Sequence, residues 1–157
     1  MSDYQIVLKE APATKVISLR RVLVKPPDQR LLWAELLEYC EKNNVQIAGT
    51  ALAIYHTVGT PKGGWDIEVC IPVDVDHTPS GDVKLSILPA VEKMACTIHT
   101  GPFRTVQKAY IAINEWIETN GYHITGPTRE LNVRLPNIPS NPEDSDAVNE
   151  IQFPIGK

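Results

Sequence analysis

Apolar and polar residues alternate cleanly along WDIEVCIPV, residues 65–73. Trp65, Ile67, Val69, Ile71 and Val73 fall on one side, and Asp66, Glu68 and Cys70 on the other, as in a strand buried on one face. NEIQFPI, 149–155, repeats the pattern, with Ile151, Phe153 and Ile155 inward and Glu150 and Gln152 away. Further strands are predicted at YQIVLK (4–9), TKVISLRRVLV (14–24), ALAIYHT (51–57), KLSILPA (84–90), EKMACTIHT (92–100) and GPTRELNV (126–133). Two helices interrupt them. Pro26-Pro27-Asp28 opens the first, through about Asn43, because proline and an early acid suit a first helical turn. Leu32, Leu36, Tyr39 and Cys40 give its core face at helical spacing. The second spans roughly 103–119. TPKGG (60–64) reads as a turn and 136–146 as a Pro/Asn/Ser/Asp-rich loop.

Parity then places the candidate chemistry. In GPTRELNV, Leu131 and Val133 share a side with Arg129, and Thr128, Glu130 and Asn132 take the other. If the apolar side packs on a helix, Glu130 faces away from it. In ALAIYH, Leu52 and Ile54 are expected inward, leaving Ala51, Ala53 and Tyr55 outward. The faces away from the helices would therefore gather small residues, one tyrosine, and the carboxylates Glu68, Glu130 and Glu150. Small side chains leave room for a ligand, and carboxylates select positive charge; a flat aromatic cation satisfies both. A half-solvated antiparallel sheet displays polar residues in the same way, and for one glutamate alone that is the simpler account.

The order of elements occurs twice. Pro12 and Pro89, Glu38 and Glu115, Asn43 and Asn120, and Gly49 and Gly126 are all separated by 77 positions. The offset grows to 82 where Glu68-Val69 and Pro72 meet Glu150-Ile151 and Pro154. The expected architecture is α+β: duplicated strand-helix-strand-strand modules, two antiparallel sheets with one helix each, and a pseudo-twofold ligand groove between them. This makes one domain of two repeats, approximately 1–76 and 82–157.

Composition narrows the partners. With 157 residues, 43% apolar and 22% charged, the chain is an ordinary globular one. A formal charge of −4 and only a thin basic cluster at Arg20, Arg21 and Lys25 argue against direct nucleic-acid binding. No signal peptide and no spanning apolar run is read, so a cytoplasmic protein with no membrane contact is expected. Cys40, Cys70 and Cys96 lack paired spacing and read as reduced thiols. His56, His77 and His123 lack ligand spacing; no metal and no cofactor is expected. His99, before Gly101-Pro102, is read as a packing or capping residue, and Trp33 and Trp116 as helix packing.

WDIEVCIPV (65–73), HTGPF (99–103), NEWIETNGYHITGPTRE (114–130) and NEIQFPI (149–155), in this order, resemble the gyrase-inhibitor-like (GyrI-like) small-molecule-binding family. That family includes effector-binding domains of multidrug-responsive MerR- and AraC-type regulators, stand-alone proteins, and hydrolases of cyclopropane-containing alkylating natural products. The resemblance implies a groove for lipophilic, often cationic aromatic compounds, and its carboxylate falls on Glu130 in the Pro-x-Arg-Glu context. Asn132 stands where members often carry tyrosine, and RVLVK where a second HTGPF would stand. No helix-turn-helix is read ahead of the domain, so direct DNA binding would need another part.

Three functions follow as alternatives. The first is binding of hydrophobic, cationic or planar ligands, with Glu130 as charge partner, Tyr55 and Trp65 as walls, and Glu68, Ala51, Ala53, Cys70, Asn132 and Glu150 lining. The second is hydrolysis of strained electrophiles in the same place, Glu130 acting as base or charge stabiliser and Tyr55 as proton donor. The third is a protein-interaction module, such as a topoisomerase modulator. Exposed sheet edges leave a homodimer open.

Overall fold

The computed structural model describes residues 4–56, 64–74, 76, 78–134 and 147–157. The TPKGG turn up to Gly63 and the 136–146 loop lie outside the described residues. Its elements are β1 (Val7–Ala11), β2 (Thr14–Leu23), α1 (Gln29–Lys42), β3 (Leu52–Tyr55), β4 (Trp65–Pro72), β5 (Lys84–Leu88), β6 (Val91–Thr100), α2 (Gln107–Thr119), β7 (His123–Ile124), β8 (Thr128–Arg134) and β9 (Val148–Gly156). Helices and antiparallel strands mix as the α+β class requires. Each helix is entered through a 3-10 turn, Pro26–Asp28 for α1 and Phe103–Thr105 for α2. Each leaves on a left-handed residue, Asn44 (φ 53°) and Gly121 (φ 75°). There Val45 N–H reaches back to the Cys40 carbonyl at 2.9 Å, and Tyr122 N–H to that of Ile117 at 3.0 Å, closing the last helical turn.

The chain forms two compact units, Ala13–Pro89 and Met1–Pro12 with Ala90–Lys157. Within them β1 lies antiparallel on β6, and β5 on β2. Chemistry explains this pairing. β1 and β2 are joined by Pro12-Ala13, and β5 and β6 by Pro89-Ala90. A two-residue hairpin needs positive φ in its turn, which proline cannot adopt. The Pro-Ala steps therefore connect strands instead of closing hairpins.

In the Ala13–Pro89 unit the strand order is β5-β2-β4-β3, and α1 covers one face. Ile17, Leu19, Ile67, Val69 and Ile71 meet Leu32, Leu36 and Cys40 there. In the other unit the order is β1-β6-β9-β8, with β7 on the end of β9. Ala95, Ile151, Phe153 and Ile155 pack on Ala109, Ile113 and Ile117 of α2. The glycine and proline that recur in the sequence touch: a Cβ on Gly49 would lie 3.2 Å from Pro72, and one on Gly126 3.5 Å from Pro154. Gly49 lets the chain after α1 pass close over β4.

The faces of two strands are opposite to those expected. Ala53 stands opposite Val69 and Tyr55 opposite Ile67, so Ala53 and Tyr55 lie beneath α1, while Leu52 and Ile54 share the far face with Cys70 and Glu68. Glu130 stands opposite Ile151, a core residue under α2, and Leu131 opposite Glu150. Glu130 thus faces its helix rather than away from it. Leu52, Ala53, Ile54 and Tyr55 are all buried, so hydrophobicity carries no contrast between the faces of β3. In β8 the contrast misleads, because Val133 is exposed and Glu130 buried.

Candidate functional site

Glu130 is only 5% exposed. It comes from the middle of β8, and the Tyr110 hydroxyl on α2 donates a hydrogen bond to its Oε2. Tyr110 packs edge-on against Phe153 of β9, ring centres 5.8 Å apart at 82°. Asn132, partly buried, follows Glu130 on the same side of β8. A carboxylate beneath a helix, bonded by a tyrosine that packs on a phenylalanine, combines charge with apolar surroundings. The sequence did not single out Tyr110. It lies three and seven positions before the core residues Ile113 and Ile117, and a tyrosine on that stripe has to bring its hydroxyl to a polar partner.

Tyr55, Ala51, Ala53 and Trp65 lie on the helix-bearing face of the other unit. Ala53 is packed into the core under α1, where a small side chain admits the helix. The Tyr55 hydroxyl, 26 positions from its partner, accepts a 2.9 Å hydrogen bond from Gln29 Nε2 at the start of α1. The same nitrogen donates to the Pro26 carbonyl at 3.1 Å, and Gln29 Oε1 accepts from Trp33 Nε1 at 3.1 Å.

Glu68, Cys70 and Glu150 are on the faces away from the helices, apart from the residues just described. Glu68 is held at both oxygens, by Ser18 Oγ at 2.6 Å and His56 Nε2 at 2.8 Å. The His56 bond, followed by that of Ser18, outweighs burial and holds the Glu68 carboxyl below its ordinary value of 4.5. Asp66, bound in two places by Arg20, is lowered in the same way. A depressed folded-state value means stability that is full above pH 4.5 and is lost as pH falls through the folded value. Glu68→Gln should therefore make the acid limb of the unfolding curve shallower below pH 4.5, followed by circular dichroism, with no change at pH 7 in its slope. An acid limb identical to the parent's would exclude this coupling.

Glu150 is buried and bound by Lys9 Nζ at 2.6 Å and Gln152 Nε2 at 2.5 Å. The hydrogen bond to Glu150 raises Lys9. Burial, then the Glu150 charge, pushes the Cys96 thiol up to about 12, and burial raises Cys40. These are protonated, unreactive thiols; all three cysteines are buried and free. His99 packs as expected, accepting or donating to Tyr4 Oη (2.9 Å) and Thr105 Oγ1 (3.1 Å) at the entry to α2. Trp33 and Trp116 pack against the two cores, Trp116 stacked on Tyr122. Among the described residues no group of three or more His, Cys, Asp or Glu is placed to hold a metal ion, and no helix is long and apolar enough to cross a membrane.

An α+β chain with a buried carboxylate under an aromatic-bearing helix has the makings of a small-molecule-binding protein. The family model of the GyrI-like small molecule binding domain matches residues 4–155, and the chain belongs to that family. Among solved structures it is similar to EcmrR in a complex with DNA, at 26% identity and a TM-score of 0.86, over 98% of this chain and 58% of that one. The present chain therefore spans a little over half of that EcmrR chain. The EcmrR C-terminal domain by itself gives 25% identity and a TM-score of 0.81 over 99% of both chains. A hydrolase from Listeria innocua shares the fold, at 12% identity and a TM-score of 0.65 over 97% of this chain and 92% of that one. A search of curated proteins finds no significant match.

Proposed function

We propose that the chain binds lipophilic, cationic, planar aromatic molecules, with Glu130 as their charge partner. The observation that carries this reading is the burial of the Glu130 carboxylate beneath α2, hydrogen-bonded by the Tyr110 hydroxyl, whose ring packs edge-on against Phe153. Burying a carboxylate costs free energy that an incoming cation offsets, and ring faces stabilise the same cation. Family membership supports the ligand's size class, and the carboxylate its charge.

The test is a fluorescence titration with ethidium, a planar cation, and with phenanthridine, its uncharged parent ring system. Ethidium should bind in the micromolar range, and Glu130→Gln should weaken it by about tenfold or more, as loss of a desolvated charge partner does. Phenanthridine binding should change little. Absence of ethidium binding to the unaltered protein would end this reading. Mass spectrometry of the same samples, repeated with a cyclopropane-bearing electrophile, decides between binding alone and hydrolysis.

A further inference from the structure

A recess of about 320 Å³ lies wholly within the Ala13–Pro89 unit, between the second half of α1, the turn at 80–83 and β2. Its volume is at the small end of the range for small-molecule sites. Helical spacing builds one wall, since Glu35, Glu38, Tyr39 and Lys42 are three or four positions apart and share one side of α1. Asp82 stands on the turn opposite. Leu19 and Val83, 1% and 7% exposed, supply the apolar part of the lining. Two cross-links hold the walls in place. Tyr39 Oη accepts a 3.2 Å hydrogen bond from the Ser80 N–H, and Arg21 Nη2 reaches Glu35 at 2.5 Å and Asp82 at 3.4 Å. The recess is therefore formed before any ligand arrives.

Its charge is unequal. Three carboxylates (Glu35, Glu38 and Asp82) face two bases (Arg21 and Lys42), which leaves one negative charge. The last turn of α1, ending at Lys42, adds the partial negative charge of a helix C-terminus. Glu38 and Asp82 are the carboxylates with capacity to spare. Glu38 is paired only with Lys42, an i,i+4 contact between side chains 62% and 72% exposed, and such pairs are worth little. Asp82 meets Arg21 at the longer of the two Arg21 contacts.

We propose that this recess is a second ligand site, for a small monocationic amine with a short aliphatic body. The ammonium would take Glu38 and Asp82 as acceptors beside the Tyr39 ring, and the alkyl group would cover Leu19 and Val83. One positive charge balances the lining, whereas a zwitterion or an anion leaves it unbalanced. None of these residues belongs to the Glu130 site.

The experiment is an amide NMR titration of the full chain with n-butylamine, an ammonium ion at pH 7. Norvaline, the same chain with an added carboxylate, and n-butanol, its uncharged counterpart, are run beside it. n-Butylamine should shift the Ser80 and Asp82 amides saturably in the millimolar range, as suits so small a ligand. Norvaline should bind at least about threefold more weakly, and n-butanol should leave both amides unmoved. Glu38→Gln and Asp82→Asn, at exposed positions that the fold tolerates, should each weaken n-butylamine about threefold, and Tyr39→Leu by a similar factor. Shifts that grow linearly without saturating, or that miss Ser80 and Asp82, would overturn the proposal. Equal affinity in the parent, Glu38→Gln and Asp82→Asn would do the same. Norvaline binding as tightly as n-butylamine would overturn the assigned ligand class.

Discussion

Gly64→Ala is expected to cost about 2–6 kcal/mol of stability, summing roughly 1–3 for left-handed strain and 1–3 for overpacking. Gly64 has φ +100°, and an added Cβ would lie 2.5 Å from the Leu23 carbonyl oxygen and 3.0 Å from Val22 Cγ1. The first obstacle is backbone, so no side-chain rotation relieves it. Nor can the strand step aside, because Leu23 is the register partner of Trp65, the next residue, at the head of the β2–β4 ladder. Relief requires opening that ladder end, which carries Trp65 and the helix-face residues behind it. In a chain of 157 residues, each kcal/mol corresponds to about 2–4 °C in melting temperature. A calorimetric melting point within about 2 °C of the parent would show that the Leu23 contact is not held in solution.

Ile113→Ala is the second large effect, expected at about 2–5 kcal/mol from lost burial and the cavity left behind. Ile113 is 0% exposed and packs with Ala95, Ile151 and Phe153 at the centre of the α2 core. Ile111, two positions earlier on the opposite side of the helix and 55% exposed, serves as the internal control. Ile111→Ala should move stability by less than about 0.5 kcal/mol, as surface substitutions do. Urea titrations of both variants give the comparison. Equal midpoints would mean that α2 presents a different face to its sheet. Since Tyr110 sits on the same side of α2 as Ile113, the large-effect variant should also loosen the hold on Glu130 and weaken ethidium binding.

Much of the fold was legible in the chain, and for physical reasons. The first helix announces itself by Pro26-Pro27 at its entrance, Leu32, Leu36 and Cys40 on one stripe, and Asn43-Asn44 at its end. β4 alternates strictly, and its helix face is the expected one. β3 and β8 were illegible in orientation because burial on both faces, or a buried carboxylate, removes the contrast that parity depends on. The two residues of β7 carry no pattern long enough to register. Glu130 was legible as a site candidate from its local sequence context, yet the company it keeps was not. Tyr110 lies 20 positions away on another element, and Gln29 lies 26 from Tyr55. Such partners emerge only from tertiary packing. Glu68 and Glu150, grouped with Glu130 by parity, belong instead to the opposite faces, where Ser18, His56, Lys9 and Gln152 hold them.

The pairing of β1 with β6 also bears on how the chain comes together during synthesis. Residues 13–89 form an uninterrupted stretch, within which β2 pairs with β4 and β5, and β3 with β4. It can close as soon as it has left the ribosome. β1 is made earlier but has no partner until β6 follows, after the whole of that stretch. An early strand left waiting, joined to its neighbour by a stiff proline step, is a tether that must be held unpaired until β6 is made. Pairing β1 with β6 therefore closes the loop from Val7 to Cys96 around the whole of that stretch, and it joins the first strand made to a unit whose remaining strands follow much later.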